Sequence, residues 1–435
     1  MHQNKSTTSS GFSGLGIAPS LMEVVAKLNY KIPTPIQRQA IPVALQGKDL
    51  VGVAQTGTGK TLAFGIPLIQ RLNQIIGCGL IVLPTRELAL QVDEALSKFG
   101  SKMSFKTAVL IGGAPIRPQI QALSRNPRII IATPGRLNDH IQQKTANLKN
   151  VKIVVLDEAD RMLDMGFAPQ IKKIFQELPA ERQTMLFSAT LAPEIMKMAS
   201  SLLKLPIRIE VAPTGSVAEH LTQEIFIIHK DDKTRLVDKL LQQYLGATLI
   251  FTRTKHGAKK LTGNIRDMNH SAAEIHSNRS LSQRKEAMAG FKSGKYRVLI
   301  ATDIASRGID VMGIELVINY DLPTNTEDYV HRIGRTARAG VAGHAISLVA
   351  PEQRREVRNI ERLIRKTLPI STVPELPPKR QIKQIKFAPT IQPIQSSQKS
   401  DQKSFSKPRS RSNASGFYHK RRPFHRQGNS RGRRS

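Results

Sequence analysis

The sequence predicts an α/β protein: two tandem parallel-sheet domains, a short linker between them, and a disordered basic tail at the C-terminus. Three observations predict it. Short runs rich in Val, Ile and Leu recur along most of the 435 residues, with helix-like segments between them. Those runs are apolar throughout and do not alternate with polar residues, as parallel strands covered on both faces require. The pattern breaks once, resumes, and then gives way to a segment of different composition.

Residues 1–11 are rich in Ser, Thr and Gly and are expected to be loose. Polar residues follow Met1 directly, unlike the apolar core of a secretory signal. The first domain spans 12–208, with candidate strands Leu50–Ala54, Leu80–Pro84, Thr107–Ile111, Arg128–Ala132, Ile153–Asp157 and Thr184–Phe187. Repeated β–α units of this kind build an open sheet. Residues 206–220 read as connecting chain, with the linker proper at 209–219. The second domain, 220–368, repeats the pattern at Thr248–Phe251, Glu274–His276, Arg297–Ala301, Leu316–Asn319 and Ala345–Val349, and a charged helix over Glu352–Lys366 closes it.

Residues 369–435 carry 16 Lys and Arg against 2 Asp and Glu, a net +14. Ser, Gln, Pro and Arg dominate, with isolated aromatics Phe405, Phe417, Tyr418 and Phe424. Such a segment cannot bury enough apolar surface to offset its ordering entropy, so disorder is expected. The whole chain has 66 Lys and Arg against 33 Asp and Glu, a net +33 with a pI of about 10.6. That surplus favours a polyanionic partner, nucleic acid before anionic membrane. No apolar run approaches the roughly 18 residues of a membrane span. A cytoplasmic protein without a membrane partner is therefore expected. The single cysteine, Cys78, excludes an intrachain disulfide framework and a cysteine-based zinc site. It lies in an apolar run and reads as a core thiol. The 11 histidines show no metal-ligand spacing.

Ala54-Gln55-Thr56-Gly57-Thr58-Gly59-Lys60-Thr61 follows the first strand and opens a helix. This is the context of a phosphate-binding loop, although Ala54 stands at the pattern's usual first glycine. Gly57 and Gly59 let backbone N–H groups turn toward phosphate, and the helix N-terminus favours the anion. Lys60 can reach the β- and γ-phosphates, and the Thr61 hydroxyl can ligate Mg²⁺. Out of context the same residues would be a glycine-rich turn with a solvated lysine. Downstream, an apolar strand ends at Asp157-Glu158-Ala159-Asp160. Strand ends in open α/β sheets face the ligand crevice. Asp157 is placed for the Mg²⁺ water shell, and Glu158 to orient and deprotonate an attacking water. An acidic helix N-terminus would look alike; the phosphate loop upstream favours the catalytic reading. Together these elements define a nucleoside triphosphatase.

Further motifs narrow it. The first domain has Ile32-Pro33-Thr34-Pro35-Ile36-Gln37, Pro84-Thr85-Arg86-Glu87-Leu88-Ala89, Gly112-Gly113, Thr133-Pro134-Gly135-Arg136 and Ser188-Ala189-Thr190. The second has Ile250-Phe251-Thr252-Arg253-Thr254, Ala301-Thr302-Asp303 running on to Arg307-Gly308-Ile309-Asp310, and His331-Arg332-Ile333-Gly334-Arg335-Thr336-Ala337-Arg338. In this order, over about residues 12–366, they resemble the DEAD-box RNA helicases, and the combination of lobe features with the Arg-rich tail looks most like the bacterial RhlE-like subgroup.

The resemblance implies two RecA-like domains that bind ATP and Mg²⁺ in their cleft. Gln37, within a Q motif at about 12–38 with Phe12 upstream, would read adenine, and Asp310 would meet the ribose. Pro84, Thr85, Arg86, Gly113, Thr133, Gly135 and Arg136 would contact RNA from the first domain, and Thr254, Arg284 and Thr302 from the second. Asp160, Ser188, Thr190 and His331 would couple hydrolysis to strand separation. Arg335 and Arg338, three apart on one helical face, would act as arginine fingers, worth roughly 10³–10⁵ in rate, or about 4–7 kcal/mol. Glycines and backbone amides contact phosphates without reading bases, so binding largely independent of RNA sequence is expected.

The activity implied is ATP-dependent local unwinding of short RNA duplexes or remodelling of RNA–protein complexes. An ATP-gated RNA clamp or an RNA-annealing chaperone is the alternative; Gln37 and the RNA-type motifs disfavour a DNA translocase. Ribosomal precursor particles or the RNA decay machinery are the partners that the subgroup implies. The basic tail would tether RNA, with a salt slope of about −0.7 per phosphate contact. The chain departs from the family at Ser277 (usually Gly), Leu281 (commonly Gln), Ser306 (commonly Ala) and Ala337 (commonly Gly).

Overall fold

A computed structural model describes residues 11–55, 57–100, 105–211, 221–303, 311, 313–337 and 342–377. Each domain, or lobe, is a seven-stranded sheet. The first runs, edge to edge, Thr107–Leu110, Ile129–Ala132, Cys78–Val82, Val151–Leu156, Gln183–Ser188, Leu50–Val53 and Ile207–Glu210. The second runs Ala272–Ile275, Val298–Ala301, Ala247–Phe251, Ile314–Asn319, Gly343–Val349, Leu221–Ile227 and Ile370–Ser371. Every pairing is parallel. Counted from the first strand of each lobe, both orders are 3-4-2-5-6-1-7. The two lobes thus repeat one topology.

Successive residues of most inner strands enter opposite faces, and both faces are apolar. In the first lobe Leu50, Ile81, Ile131, Val155 and Met185 join one core cluster, while Val51, Leu80, Ile130, Val154 and Leu186 join the other. The second lobe repeats this with Ile250, Ile300 and Ile318 on one side and Leu249, Leu299 and Val317 on the other. Sheets so enclosed explain the uninterrupted apolar runs. Close packing also dictates Gly52: a Cβ there would lie 2.6 Å from the Phe187 ring.

Three strands escape the sequence reading. Ile207–Glu210 lies where connecting chain was expected and pairs with Leu50–Val53. Its Ile209 is buried, and its outward Arg208 and Glu210 form an exposed 2.7 Å ion pair. Leu221–Ile227 carries polar residues, of which Gln223 is buried and accepts a 3.1 Å hydrogen bond from the Tyr329 hydroxyl. Ile370–Ser371 adds an edge strand, so the second lobe continues beyond the expected limit at 368. Val373 and Leu376 pack on its core, and Arg235 donates to the carbonyls of Pro377 (2.5 Å) and Leu376 (3.3 Å). Most of the expected tail, from 378 onward, and most of the expected linker lie outside the described residues. Among the described residues no helix is long and apolar enough to cross a membrane.

One buried carboxylate closes the first lobe at the edge opposite the phosphate loop. Asp49 precedes the Leu50–Val53 strand and accepts 2.7 Å bonds from the Thr184 and Lys204 amides. Removing it leaves two donors without their acceptor, at about 1–3 kcal/mol each where buried. Asp49→Ala is therefore expected to destabilise the protein by about 2–3 kcal/mol. The check is a urea midpoint that falls with the slope unchanged.

Candidate nucleotide and RNA site

Parallel register brings the strand ends of the first lobe to one edge. Val53 lies beside Ser188, and Val155 beside Met185. The phosphate loop, the acidic turn and the Ser188-Ala189-Thr190 turn therefore emerge together.

In the phosphate loop Gly57 and Gly59 both have φ +85°, a left-handed conformation that glycine adopts without penalty. Lys60 opens the helix Lys60–Gln74, is buried, and donates 2.7 Å to the Ala54 carbonyl. Thr58 donates 2.7 Å to the Gln55 carbonyl. Thr61 follows Lys60 in the first helical turn; Thr56 lies outside the described residues. Gln37, in the first turn of Pro35–Leu45, braces the loop: its Oε1 accepts from the Thr34 amide at 2.9 Å, and its Nε2 donates 3.0 Å to the Gly59 carbonyl. A Cβ at Gly59 would collide with that amide. Phe12 is 3% exposed and packs in the lobe's core.

The acidic turn is under backbone tension. Glu158 has φ +55°, unfavourable for a residue with a Cβ. Its amide donates 3.0 Å to Asp157 Oδ1, which helps to hold the turn. Asp157 is buried, and burial pushes its carboxyl up to about 7, against the downward pull of Lys60 and with a further upward push from Glu158. The Glu158 carboxylate is buried too, 3.5 Å from Arg161 Nη1. Neither Glu158 Oε2 nor the terminal nitrogens of Arg161 make a hydrogen bond among the described residues. Asp160 ties this turn to the next: its Oδ2 accepts from the amides of Ala189 (2.9 Å) and Thr190 (3.2 Å).

The second lobe faces these groups. Gln55, Ala189 and Thr190 line a cleft of about 150 Å³ with Glu327, Val330, His331, Gly334 and Leu363. Beside it, Arg161 faces Asp303, Asp328, His331 and Arg335. Arg335 is 4% exposed and its Nε donates 3.3 Å to the His331 carbonyl. Arg332 anchors the second-lobe motifs to one another. It grips both Asp303 oxygens (2.6 and 2.7 Å), donates to Asn319 Oδ1 and the Asp321 carbonyl, and stacks 5.0 Å over Phe251. Ala337 adopts φ +53°, the conformation that suits the family's glycine. Asp310, Arg338 and Ser306 lie outside the described residues.

A second group gathers the predicted RNA contacts of the first lobe. Thr85 accepts from the Leu88 amide at 3.3 Å, after Pro84 and at the start of the helix Arg86–Gly100. Gly113 has φ +74°, and a Cβ on it would strike the Arg86 guanidinium. Thr133 precedes the helix Pro134–Gln142 without a side-chain capping bond, a Cβ at Gly135 would meet open space, and Arg136 Nη1 donates 3.0 Å to the Ala114 carbonyl. Burial lowers the Arg86 pKa; Glu87 opposes this, while Arg284 and Arg136 add to it. Glu87 thus pairs with Arg284 beside Arg86, while Arg136 has its own carboxylate partner in Asp139, 3.3 Å from its Nε. Arg284 comes from the second lobe, donates 2.6 Å from Nε to Glu87, and reaches the His276 carbonyl at 3.3 Å. Leu281 packs against the first lobe's core cluster. Ser277 is exposed. Thr254 caps Lys255–Asp267 by accepting from Gly257, and Thr302 follows the strand Val298–Ala301.

Sequence reasoning assigned no role to Arg161, Glu87 or Arg332. Arg161 stands three residues after Glu158, a helical spacing that pairs opposite charges. Glu87 and Arg332 stood inside quoted motifs, but their partners are 197 and 29 residues away in the chain, which local spacing does not reveal.

Comparison with known proteins agrees with this geometry. The DEAD/DEAH box helicase family matches residues 34–198, and the helicase conserved C-terminal domain matches 232–340. The ATP-dependent rRNA helicase RRP3 of Debaryomyces hansenii is 41% identical over 362 residues, 82% of this chain and 76% of that protein. The DEAD-box ATP-dependent RNA helicase RhpA of Helicobacter pylori is 40% identical over 368 residues, 84% of this chain and 75% of that one. The solved structure of S. cerevisiae Dbp5 bound to RNA and ADP BeF3 superposes with a TM-score of 0.75 at 29% identity, covering 83% of this chain and 96% of that one. The chain belongs to the DEAD-box ATP-dependent RNA helicases.

Proposed function

We propose that this helicase hydrolyses ATP when RNA draws its two lobes together, and that it opens short duplexes locally. One observation carries the reading: the Asp160 carboxylate, next to the water-activating Glu158, is hydrogen-bonded to the turn that faces His331 of the other lobe. A change at the nucleotide therefore has a direct path to the lobe that must move.

The roles follow from position. The amides of 57–61 cradle phosphate at the helix N-terminus. Lys60 exchanges its bond to the Ala54 carbonyl for the β- and γ-phosphates. Gln37 keeps one N–H and one oxygen lone pair after bracing the loop. That remaining pair matches the N7 acceptor and N6 donor of adenine, whereas guanine presents two acceptors. Glu158 takes the proton of the attacking water, and Arg335 supports charge on the γ-phosphate from the second lobe, as Arg338 does in the resemblance. Thr61 and the buried Asp157 fit a Mg²⁺ held largely through water, since that ion keeps much of its hydration and needs few protein ligands. When bound it neutralises phosphate charge.

On the RNA side Arg86, Arg136 and the amides around Gly113 and Gly135 contact phosphates without reading bases. Thr254 and Thr302 extend the track on the second lobe, and the basic tail adds further phosphate contacts. Ribosomal RNA is the target that the name of the RRP3 relatives favours over decay intermediates.

Glu158→Gln is expected to keep ATP and RNA binding while turnover falls by at least about 10²-fold, the scale of a general base. Steady-state phosphate release with saturating RNA checks it, and near-normal release would remove Glu158 from the role. Gln37→Ala is expected to weaken ATP more than GTP, by roughly tenfold for a lost base-specific pair. Equal losses in competition binding would reduce Gln37 to its brace on the phosphate loop.

A further inference from the structure

The loop after the Thr107–Leu110 strand presents Gly112 and Gly113, and a glycine pair does not hold its own shape. A buried polar chain lies beneath it. Gln119, on the helix Ile116–Ser124, is 6% exposed. Its Oε1 accepts from the Ile111 amide at 3.2 Å, and its Nε2 donates to the carbonyls of Ile111 and Pro115, both at 3.1 Å. One side chain thereby fastens both ends of the glycine loop.

Gln119 is itself fixed from the neighbouring helix. Its Oε1 lies 3.3 Å from Nε2 of His140, which is fully buried on Pro134–Gln142. A carbonyl oxygen only accepts, so Nε2 carries the hydrogen. Nδ1 then pairs with the Thr145 hydroxyl at 2.8 Å. Burial lowers the His140 pKa, with Arg136 acting in the same direction, and so favours the neutral ring. The helix that holds His140 carries Gly135 and Arg136 in its first turn. The chain Thr145–His140–Gln119–Ile111 therefore locks two RNA-contacting segments into one geometry from behind.

We propose that Gln119 and His140 are positioning residues for RNA. They touch no ligand, and they set the spacing between the Gly112-Gly113 loop and the helix that starts at Pro134. The proposal rests on the reading of Gly113, Thr133, Gly135 and Arg136 as RNA contacts.

The test uses the full chain and a short single-stranded oligouridylate. Three quantities are read: the RNA concentration that half-maximally stimulates ATP hydrolysis, the rate at saturating RNA, and ATP affinity without RNA. Gln119→Leu leaves buried backbone groups without partners, and is expected to raise half-saturating RNA about tenfold. The other two quantities should stay within about twofold. Thr145→Val, at a half-buried position, frees the imidazole ring and should shift half-saturation about two- to threefold in the same direction. If Gln119→Leu does not fold, Thr145→Val decides alone. Arg136→Ala separates the two levels of the argument. Unchanged half-saturation there removes the RNA reading of this face, and the proposal with it. A shift for Arg136→Ala with none for Gln119→Leu or Thr145→Val overturns the positioning role alone, as does a loss of saturated rate or of RNA-free ATP affinity equal to any loss in RNA response.

Discussion

Both faces of each sheet are covered by helices, and from that constraint the rest follows. A strand with Val or Ile on both sides has no lateral route to a ligand. Its chemistry must lie where the chain leaves the sheet. Parallel pairing puts all such exits on one edge, so residues far apart in sequence meet there: Lys60, Asp157 and Ser188 in the first lobe, Asp303 and Asn319 in the second. The identical strand order of the two lobes makes the edges counterparts. Two such edges face to face form a cleft that neither lobe has alone.

At that edge a buried polar group needs a partner, because an unpaired one costs more than a hydrogen bond returns. Asp160 meets the rule with backbone amides, and Arg332 with Asp303, Asn319 and a carbonyl. Groups so fixed convey position. Glu158 and Arg161 break the rule: both are buried, 3.5 Å apart and without hydrogen bonds at their facing atoms. Geometry withheld from the fold is geometry available to a ligand. The rigid polar groups hold this edge in one geometry, and the Glu158–Arg161 pair keeps hydrogen-bonding capacity that the fold does not use.

This division decides what the sequence discloses. Most inner strands were legible because enclosure on both sides leaves an apolar run; the inner strand Leu221–Ile227 was not, because Thr222, Gln223 and Glu224 interrupt its run. The edge strands Ile207–Glu210 and Ile370–Ser371 were not, because one flank is open and short alternating or polar segments resemble loop. The phosphate loop and the acidic turn were legible because their chemistry needs neighbours in the chain. Gln119 and His140 stayed hidden: each looks like an ordinary helical polar residue until the packing of two helices puts them 3.3 Å apart. Arg284 was expected at RNA, and the fold also places it on Glu87, so the arginine that would meet a phosphate already bridges the lobes.

The departures Leu281 and Ala337 acquire opposite physical meanings. Leu281 exchanges an amide for an apolar side chain and packs it against the core of the facing lobe, beside the Arg284–Glu87 pair. Hydrophobic contact needs no directional partner and is entropic near room temperature. It favours contact between the lobes and weakens on cooling. Ala337 holds a left-handed conformation that costs a residue with a Cβ roughly 1–2 kcal/mol, within the segment that carries Arg335. That strain is borne by the segment whose Arg335 faces Arg161 of the first lobe. One departure therefore favours contact between the lobes, while the other strains a segment beside that contact. In the proposed cycle of closure and release the two effects oppose each other, since contact that is too favourable would hold the product as firmly as the substrate.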